Sequence, residues 1–442
     1  MKRCCLPLSF AVAGFAHAGE SLLIEARLKL VEDQLKSLRD ENEQLRQQLG
    51  GGGGKVLPVS VRAAGKEQKL SLGGYMQAQA DVGEEPDSRF VGISDRFLIR
   101  RARVNVSGSF AERFDFKVEA DYGNNGIAGK TGYSAQLTDA LLNWSQFDFA
   151  NVKLGQFKTP FGYEQLVPDT QVVTAERSLV NDRLTLNRQI GAAVSGSFYG
   201  KRLGYSVGVF NGNGVNNGFN DSDGFEYVGR LTGVPLQTKW DGREVKWSAG
   251  VNAYTSRDAS VAGLSSADQR FDSSPAPGVD NLFSGCRAGW GVDTQFKWGG
   301  FDFQGEILGA HFRPANGNYT ATMVDDRFDA LGWWALGGWF VSPKVQALVR
   351  YESLDMNRRV VGNSTDEWTL GVNGFIKGDD LKLQFNSLLG NPSGSRDHQG
   401  RFAARAQVVF QGINMKRFAL LILPLAVFFR AGGEVRAGEC AA

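Results

Sequence analysis

The sequence of 442 residues contains few of the residues on which most enzymes and disulfide-rich proteins depend, with 3 His, 4 Cys and 12 Pro. It has no interior run of 18 apolar residues, which excludes a bundle of membrane-spanning helices. The charges nearly cancel, at 49 Lys and Arg against 47 Asp and Glu, and no long basic block offers a surface for nucleic acid. A soluble chain and a transmembrane β-barrel both remain, because a barrel hides its apolar residues in alternation.

The scarcity of reactive residues argues against an enzyme, a cofactor or a metal site. Within the body of the chain only His311 and His398 remain, and neither stands in a metal-ligand or nucleophile pattern. Gly50–Gly54 and Asn211–Gly214 are glycine-rich, but they lack the Lys-Ser/Thr of a phosphate-binding loop. Cys286 is the only cysteine of the body, which excludes an internal disulfide there. We therefore expect a protein that is not an enzyme and holds no cofactor or metal.

The first 18 residues are typical of a secretory signal peptide. A positively charged start precedes a short apolar stretch, and Ala16-His17-Ala18 is a small-x-small cleavage motif before Gly19. Charge, apolar length and cleavage pattern all agree, so the sequence predicts export from the cytoplasm.

Residues 19–49 are predicted to form an α-helical coiled coil. Their apolar residues recur in steps of four and three, and Asn42 takes one seam position, where a polar residue can fix register and strand number. A single amphipathic helix is the alternative, because fewer than four heptads give modest stability. A linker, residues 50–69, follows and opens with five glycines. The seam consists of Ile24, Leu28, Val31, Leu35, Leu38, Asn42, Leu45 and Leu49.

Residues 70–410 are predicted to form an all-β transmembrane barrel of sixteen antiparallel strands. The segments are about ten residues long and alternate in hydrophobicity. Short turns and long loops alternate between them, as in outer-membrane barrels; one predicted turn runs from Val234 to Arg243. The strands are expected to begin near Leu70, Arg96, Arg113, Thr138, Asn151, Arg188, Leu203, Gly224, Val245, Arg287, Phe301, Asp329, Lys344, Glu367, Leu381 and Arg401.

The two faces of each predicted strand differ in polarity. From Phe114 to Tyr122, aromatic and aliphatic residues share one face, and Asp, Lys and Glu residues share the other. In a barrel the apolar face meets lipid and the charged face meets a watery lumen. Tryptophans in or at the ends of the strands are expected in aromatic girdles: Trp144, Trp298, Trp333, Trp334, Trp339 and Trp368.

Several segments resemble the phosphate-selective porin O/P family. They include residues 95–103 (DRFLIRRAR), residues 153–165 (KLGQFKTPFGYEQ) and residues 405–410 (RAQVVF). The resemblance covers about residues 70–410 and is most specific in the first half. It implies a trimer of sixteen-stranded barrels in the outer membrane, with the third external loop, here residues 159–187, folded into each pore. It also implies phosphate, pyrophosphate or polyphosphate as the solute, although some homologues carry other anions.

A phosphate pore needs positive side chains along its wall, and Arg suits this role because its planar fork matches phosphate oxygens. Family strand parity implies that Arg101 and Arg103 face the lumen, whereas Arg100 is off this parity unless a bulge intervenes. We expect both to face water, so their reversal to Glu would cut anion flux with little loss of fold. The alternative is that these are ordinary lumen charges of a general porin. The other candidates face inward by alternation or lie on or beside the inserted loop: Lys117, Lys153, Lys158, Arg177, Arg183, Arg350, Lys382 and Arg405.

The sequence thus predicts an outer-membrane porin, a passive and anion-preferring channel that takes phosphate, pyrophosphate or polyphosphate into the periplasm. Its expected partners are these anions, outer-membrane lipid and two further copies of the chain. The alternatives are a general or other-solute porin, and a structural anchor in which the coiled coil holds the barrel to the cell wall. The coiled coil is expected in the periplasm, because an even number of strands puts both barrel ends on one side.

Residues 411–442 are expected not to belong to the functional protein. Phe410 closes the last strand with an aromatic residue. The residues after it begin afresh, with Met415-Lys416-Arg417 followed by a short apolar run, which repeats a signal-peptide pattern. We interpret this extension as a fusion or a read-through.

Overall fold

The structure is a computed structural model. It describes residues 59–63, 66–111, 113–123, 127, 134–220, 222–262, 282–314, 327–359, 361–362, 364–391 and 397–411. The predicted signal peptide, the coiled coil and nearly all of the C-terminal extension lie outside these residues.

Sixteen antiparallel strands, β2 to β17, form a closed barrel, which confirms the predicted fold class and strand count. Successive strands pair in chain order, and the last strand returns to the first, with Arg401 opposite Gly83 and Gln411 opposite Gly73. Closure pairs the backbone of each strand on both sides, as a lipid surrounding requires. The strands are β1 Val59–Ala63, β2 Lys66–Gly83, β3 Arg96–Phe110, β4 Phe114–Asp121, β5 Gln136–Phe147, β6 Ala150–Lys158, β7 Arg188–Phe198, β8 Leu203–Phe210, β9 Glu226–Trp240, β10 Arg243–Ala262, β11 Leu282–Trp298, β12 Phe301–Pro314, β13 Phe328–Ser342, β14 Val345–Asp355, β15 Ser364–Lys377, β16 Leu381–Asn391 and β17 Gln399–Gln411.

Two short helices, α1 (Tyr163–Leu166) and α2 (Leu179–Leu184), interrupt the connection between β6 and β7. Within the described part of the chain, neither is long and apolar enough to cross a membrane.

An additional strand, β1, lies inside the interval 50–69 that the sequence suggested as a linker. It pairs antiparallel with the start of β2, with Val59 opposite Leu70 and Ala63 opposite Lys66. The first barrel strand accordingly begins at Lys66 rather than near residue 70. The five-residue strand β1 is too short to be detected by a search for alternating segments of about ten residues.

The predicted turn from Val234 to Arg243 is wrong, because β9 continues through Trp240. Pro235 lies at a register shift between β9 and β10, where a bulge tolerates the missing backbone N–H. The true turn is Asp241-Gly242, with φ of 50° and 71°. Two residues with positive φ are what a tight hairpin turn of type I′ requires, and Asp-Gly supplies them at low cost.

The outer surface is apolar, as the alternation predicted. Trp144, Trp333, Trp339 and Trp368 are all partly exposed there. Trp334 is the exception to the expected girdle, with only 2% of its surface exposed. Neighbouring residues of a strand point to opposite faces, so Trp333 and Trp334 cannot both face lipid. Trp334 instead lies inside the barrel, where its indole N–H donates to the Glu306 carboxylate at 3.3 Å.

Candidate functional site

The connection 159–187, here called the inserted loop, folds into the barrel. Ser178 caps α2, because its hydroxyl oxygen accepts the Asn181 backbone N–H at 2.9 Å. Apolar residues of the loop are almost completely buried against inward-facing residues of β10 to β14. A patch of hydrophobic core therefore occupies part of the interior, where the alternation of the strands predicted a watery lumen. It includes Phe161, Leu179, Val180 and Leu184 of the loop and Tyr254, Leu308, Phe312, Trp334 and Leu354 of the wall.

Backbone N–H groups of the inserted loop donate to acceptors on the same wall. Glu306 on β12 accepts the Tyr163 N–H at 2.5 Å, and Glu352 on β14 accepts the Leu179 N–H at 2.6 Å. On β16, the Asn386 amide oxygen accepts the Ala175 N–H at 2.5 Å. A loop at this depth has little water to satisfy its backbone, so these wall side chains supply the missing partners.

Other wall side chains donate to the loop's carbonyl groups. The Lys382 ammonium donates to the carbonyls of Thr170 at 2.7 Å and Val172 at 3.2 Å. Gln384 and Gln407 add bonds of 2.9 and 3.0 Å to the carbonyls of Val173 and Thr170. Lys382, a predicted anion-binding residue, thus holds the loop's backbone.

A β-bulge turns three arginines of β3 toward the interior. The pairing of β2 and β3 shifts between Gln77 and Ala78, so Arg100 is an extra residue between Ile99 and Arg101. Arg100, Arg101 and Arg103 are exposed by only 4%, 6% and 3%. The sequence predicted that Arg100 would face inward only if a bulge intervened, and the structure contains that bulge.

Two carboxylates of the inserted loop form ion pairs with these arginines. Asp169 pairs with Arg103 at 2.6 Å and with Arg177 at 2.5 Å. Glu176 pairs with Arg100 at 2.8 Å and with Arg405 of β17 at 2.5 Å. Arg101 lies 3.7 Å from Asp169 and donates to the Gln77 amide oxygen at 2.9 Å.

The pKa values of both loop carboxylates reflect these partners. Burial alone would raise the pKa of Asp169, but Arg103 and Arg177 outweigh it and hold the pKa well below its usual range. Burial likewise opposes ionisation of Glu176, whereas Arg100 and Arg405 bring its pKa well below the ordinary value. Both carboxylates are therefore ionised at neutral pH and offset part of the positive charge of the arginines around them.

The expectation that Arg101 and Arg103 face water is wrong, because the inserted loop covers both. Arg103 also pairs with Asp121 at 2.8 Å, so its reversal to Glu would place a third carboxylate beside Asp121 and Asp169. Such a buried cluster would disturb the fold, contrary to the prediction from sequence. Parity correctly identified the inward face, but it could not show that a loop lies against it.

Three further candidates also hold loops. Arg350 is 1% exposed and donates to the Thr174 hydroxyl at 2.9 Å and to the Glu176 carbonyl at 3.1 Å. Arg183 donates to the Ser88 hydroxyl at 2.7 Å, and Lys158 donates to the Gln165 carbonyl at 2.6 Å. Eight of the ten predicted residues therefore contact loop segments: Arg101, Arg103, Lys158, Arg177, Arg183, Arg350, Lys382 and Arg405.

The first external connection, residues 84–95, also folds against the interior, which the sequence did not suggest. Phe90 is 2% exposed and lies between two cations, with the guanidinium carbons of Arg89 and Arg401 5.7 and 5.1 Å from its ring centroid. Arg89 bridges this connection to the inserted loop, binding Asp87 at 2.8 Å and Asp182 at 3.0 Å. In the sequence, the signal for this packing was an aromatic residue, Phe90, directly after a cation, Arg89, in a predicted loop.

A cavity of about 560 Å³ lies between the inserted loop and the wall formed mainly by β2 to β6. Lys117 faces it and pairs with Glu119 at 2.9 Å and Asp139 at 2.7 Å. Arg188, which sequence reasoning missed as a site residue, binds Asp139 at 2.6 Å. The charged lining comprises five basic and three acidic residues: Arg103, Lys117, Lys153, Lys158 and Arg188, and Glu119, Asp139 and Asp169.

Lys153 is the distinctive cation of this cavity. Its ammonium nitrogen lies 5.2 Å from the centroid of the Phe157 ring. No ion pair joins Lys153 to a carboxylate within the described ranges of the chain. A half-buried ammonium held mainly by an aromatic face remains available to a passing anion.

Comparisons with known proteins agree with this architecture. The family described as phosphate-selective porin O and P matches residues 72–410. Porin O of Pseudomonas aeruginosa is 22% identical over 284 residues, which cover 59% of this chain and 63% of that protein. The chain thus spans less than two thirds of that curated relative's length.

Two solved structures share the fold at low sequence identity. The anion-selective porin of Comamonas acidovorans has a TM-score of 0.54 at 10% identity, covering 78% of this chain and 100% of that one. OmpT of Vibrio cholerae in its trimer form has a TM-score of 0.51 at 12% identity, covering 77% and 99%.

Proposed function

The chain belongs to the phosphate-selective porin O and P family, whose members are passive outer-membrane channels rather than enzymes, and we propose that it is an anion-preferring channel for phosphate, pyrophosphate or polyphosphate. The family membership bears out the expectation that the protein is not an enzyme. The proposed direction of uptake is from outside the cell into the periplasm.

The observation that carries this proposal is the excess of positive charge in the cavity beside the inserted loop. Five basic residues face three acidic ones there, and one of the three, Asp169 of the inserted loop, is already engaged by Arg103 and Arg177. In a narrow cleft with low-dielectric walls, the local potential rather than the protein's net charge selects the ions. Lys117, Lys153 and Arg188 line one side of this cavity, so a phosphate group could move along it from one cation to the next.

We expect chloride conductance through the purified protein in planar bilayers to fall as phosphate is added. Phosphate should occupy the cationic cavity longer than chloride, because it carries more charge and accepts several hydrogen bonds. Single-channel recording at rising phosphate concentration measures this effect. A reversal potential showing cation preference in a salt gradient would refute the channel's proposed selectivity. A chloride conductance unaffected by phosphate would favour a general porin. A barrel that conducts no current would favour a structural anchor of the outer membrane.

We also propose that the protein is a homotrimer, with residues 19–49 forming a periplasmic coiled coil, and that residues 411–442 have no role in the barrel. A chain that keeps residues 1–19, lacks residues 20–54 and ends at Phe410 should still insert as an open pore. The closed pairing of β17 with β2 supports this expectation, because only its last residue pair, Gln411 with Gly73, involves either segment. Crosslinking of the full chain should give trimers. Only dimers, or a shortened chain that fails to insert, would contradict these assignments.

A further inference from the structure

A group of charged residues lies on the outer wall of the barrel, away from the pore. His311 and Asp329 face each other across β12 and β13, on the same face as the Ile307 and Trp333 pair. Both Ile307 and Trp333 are partly exposed on the lipid side, at 45% and 40%. The His311 side chain is 58% exposed. We name this group the rim cluster; it comprises His311, Arg313, Arg327, Asp329 and Arg359.

The rim cluster lies at the external end of the barrel. The turn Gly299-Gly300 before β12 is short, whereas the connection 315–327 after it is long, and long connections are external in bacterial barrels. Along this outward column, the register runs over ten residues, from Phe301 opposite Trp339 to His311 opposite Asp329. At about 3.3 Å per residue and a tilt of about 40°, this separation is roughly 25 Å along the membrane normal.

This height equals that of the apolar band of an outer-membrane barrel, about 25 Å. The rim cluster therefore begins where the hydrocarbon ends and the lipid headgroups start. Trp290 supports this placement, because its indole lies over Gly309, immediately below His311 on the outward face. Tryptophan favours such an interface, where an apolar ring and a polar N–H are both accommodated.

The chemistry of the rim cluster suits an anionic headgroup. Asp329 accepts from the Arg359 Nε at 2.6 Å and lies 2.5 Å from the His311 Nδ1, which positions both side chains. Arg313 and Arg327 line the same cavity, of about 220 Å³. Among the described residues, no ion pair involves either of them. Three guanidinium groups thus face one carboxylate, and the planar guanidinium fork matches phosphate oxygens.

We propose that the rim cluster binds a phosphate group of a lipid in the outer leaflet of the membrane. The lipid's acyl chains would lie along the apolar column of Ile307 and Trp333, with the phosphate between Arg313, Arg327 and Arg359. A free phosphate ion has the same oxygens but gains nothing from that column. The arrangement therefore favours the lipid as the source of the phosphate.

The double variant R313Q/R327Q tests the proposal. Both side chains are exposed at the barrel's rim, so the fold should be retained. The matched control, K201Q/R202Q, removes two exposed positive charges from the short turn between β7 and β8, at the opposite membrane face. Native mass spectrometry of the full chain would measure binding of diphosphoryl lipid A, of its fully dephosphorylated form, and of inorganic phosphate.

We expect lipid A binding to fall about tenfold or more in R313Q/R327Q, which corresponds to about 1.4 kcal/mol or more, and to be unchanged in the control. The dephosphorylated lipid should bind weakly to all three proteins. Equal binding of lipid A by the variant, or equal binding of the dephosphorylated form, would overturn the proposal. Retention of inorganic phosphate in preference to lipid A would assign the rim cluster to a free ion instead. Single-channel conductance should not change, which separates this site from the pore.

Discussion

Replacing Lys153 with Glu is expected to lower the ratio of anion to cation permeability by about tenfold or more. The substitution changes the charged cavity lining from five basic and three acidic residues to four of each. A unit charge about 6 Å from a passing ion, at an effective dielectric constant of about 40, contributes roughly 1.4 kcal/mol, which is tenfold in occupancy. Reversal of the charge doubles this contribution to about 2.8 kcal/mol, so a tenfold fall is the smallest effect expected. The reversal potential in a tenfold salt gradient measures the ratio.

Two further substitutions sharpen the interpretation of this experiment. K153Q removes the charge without adding one and should fall midway between the wild type and K153E. K201E, on the exposed turn between β7 and β8, makes the same change of charge outside the cavity and should leave the ratio unaltered. If K153E retains the wild-type ratio, Lys153 is not on the path of the solute, and the route must run elsewhere in the lumen.

Much of the barrel was accessible from the sequence because its side-chain period is two. Alternation identifies strands and their inward faces, and sorted connection lengths identify the two ends. This reasoning found all sixteen barrel strands and the inward faces of Arg350 and Arg405. It predicted a turn at Pro235, where a bulge lets the strand continue. It also predicted a lipid-facing Trp334, although Trp333 beside it already faces lipid. Each error concerns a local exception to the regular period.

The role of the inward-facing residues could not be predicted in the same way. Parity shows that a side chain points inside, but not whether it meets water or another segment. Leu308 and Phe312 share the inward face with Glu306, and their apolar character was the signal that something packs there. No sequence pattern singled out the carboxylates Asp169 and Glu176. Their ion pairs join residues far apart in the chain, so no short motif contains them.

Replacing Glu176 with Gln is expected to release part of the inserted loop from the wall and raise the single-channel conductance. The substitution removes the carboxylate that Arg100 and Arg405 share at 2.8 and 2.5 Å, deep in the interior. Breaking a buried ion pair by removing one partner typically costs about 3–5 kcal/mol, because a buried charge loses its compensation. A loop that leaves the β17 wall widens the lumen, so larger and less selective currents should follow.

The variant E176D separates the charge of Glu176 from its size. A shorter carboxylate should restore part of the pairing and bring the conductance back toward the wild type. An effect of side-chain size alone would instead alter E176D and spare E176Q, because Gln matches Glu in size. D182N is the matched control, because Asp182 pairs with Arg89 but its side chain is 23% exposed, so solvent can compensate for the lost charge. If E176Q has the conductance and thermal stability of the wild type, the backbone bonds to Glu306, Glu352 and Asn386 suffice to hold the loop, and the buried arginines are not what positions it.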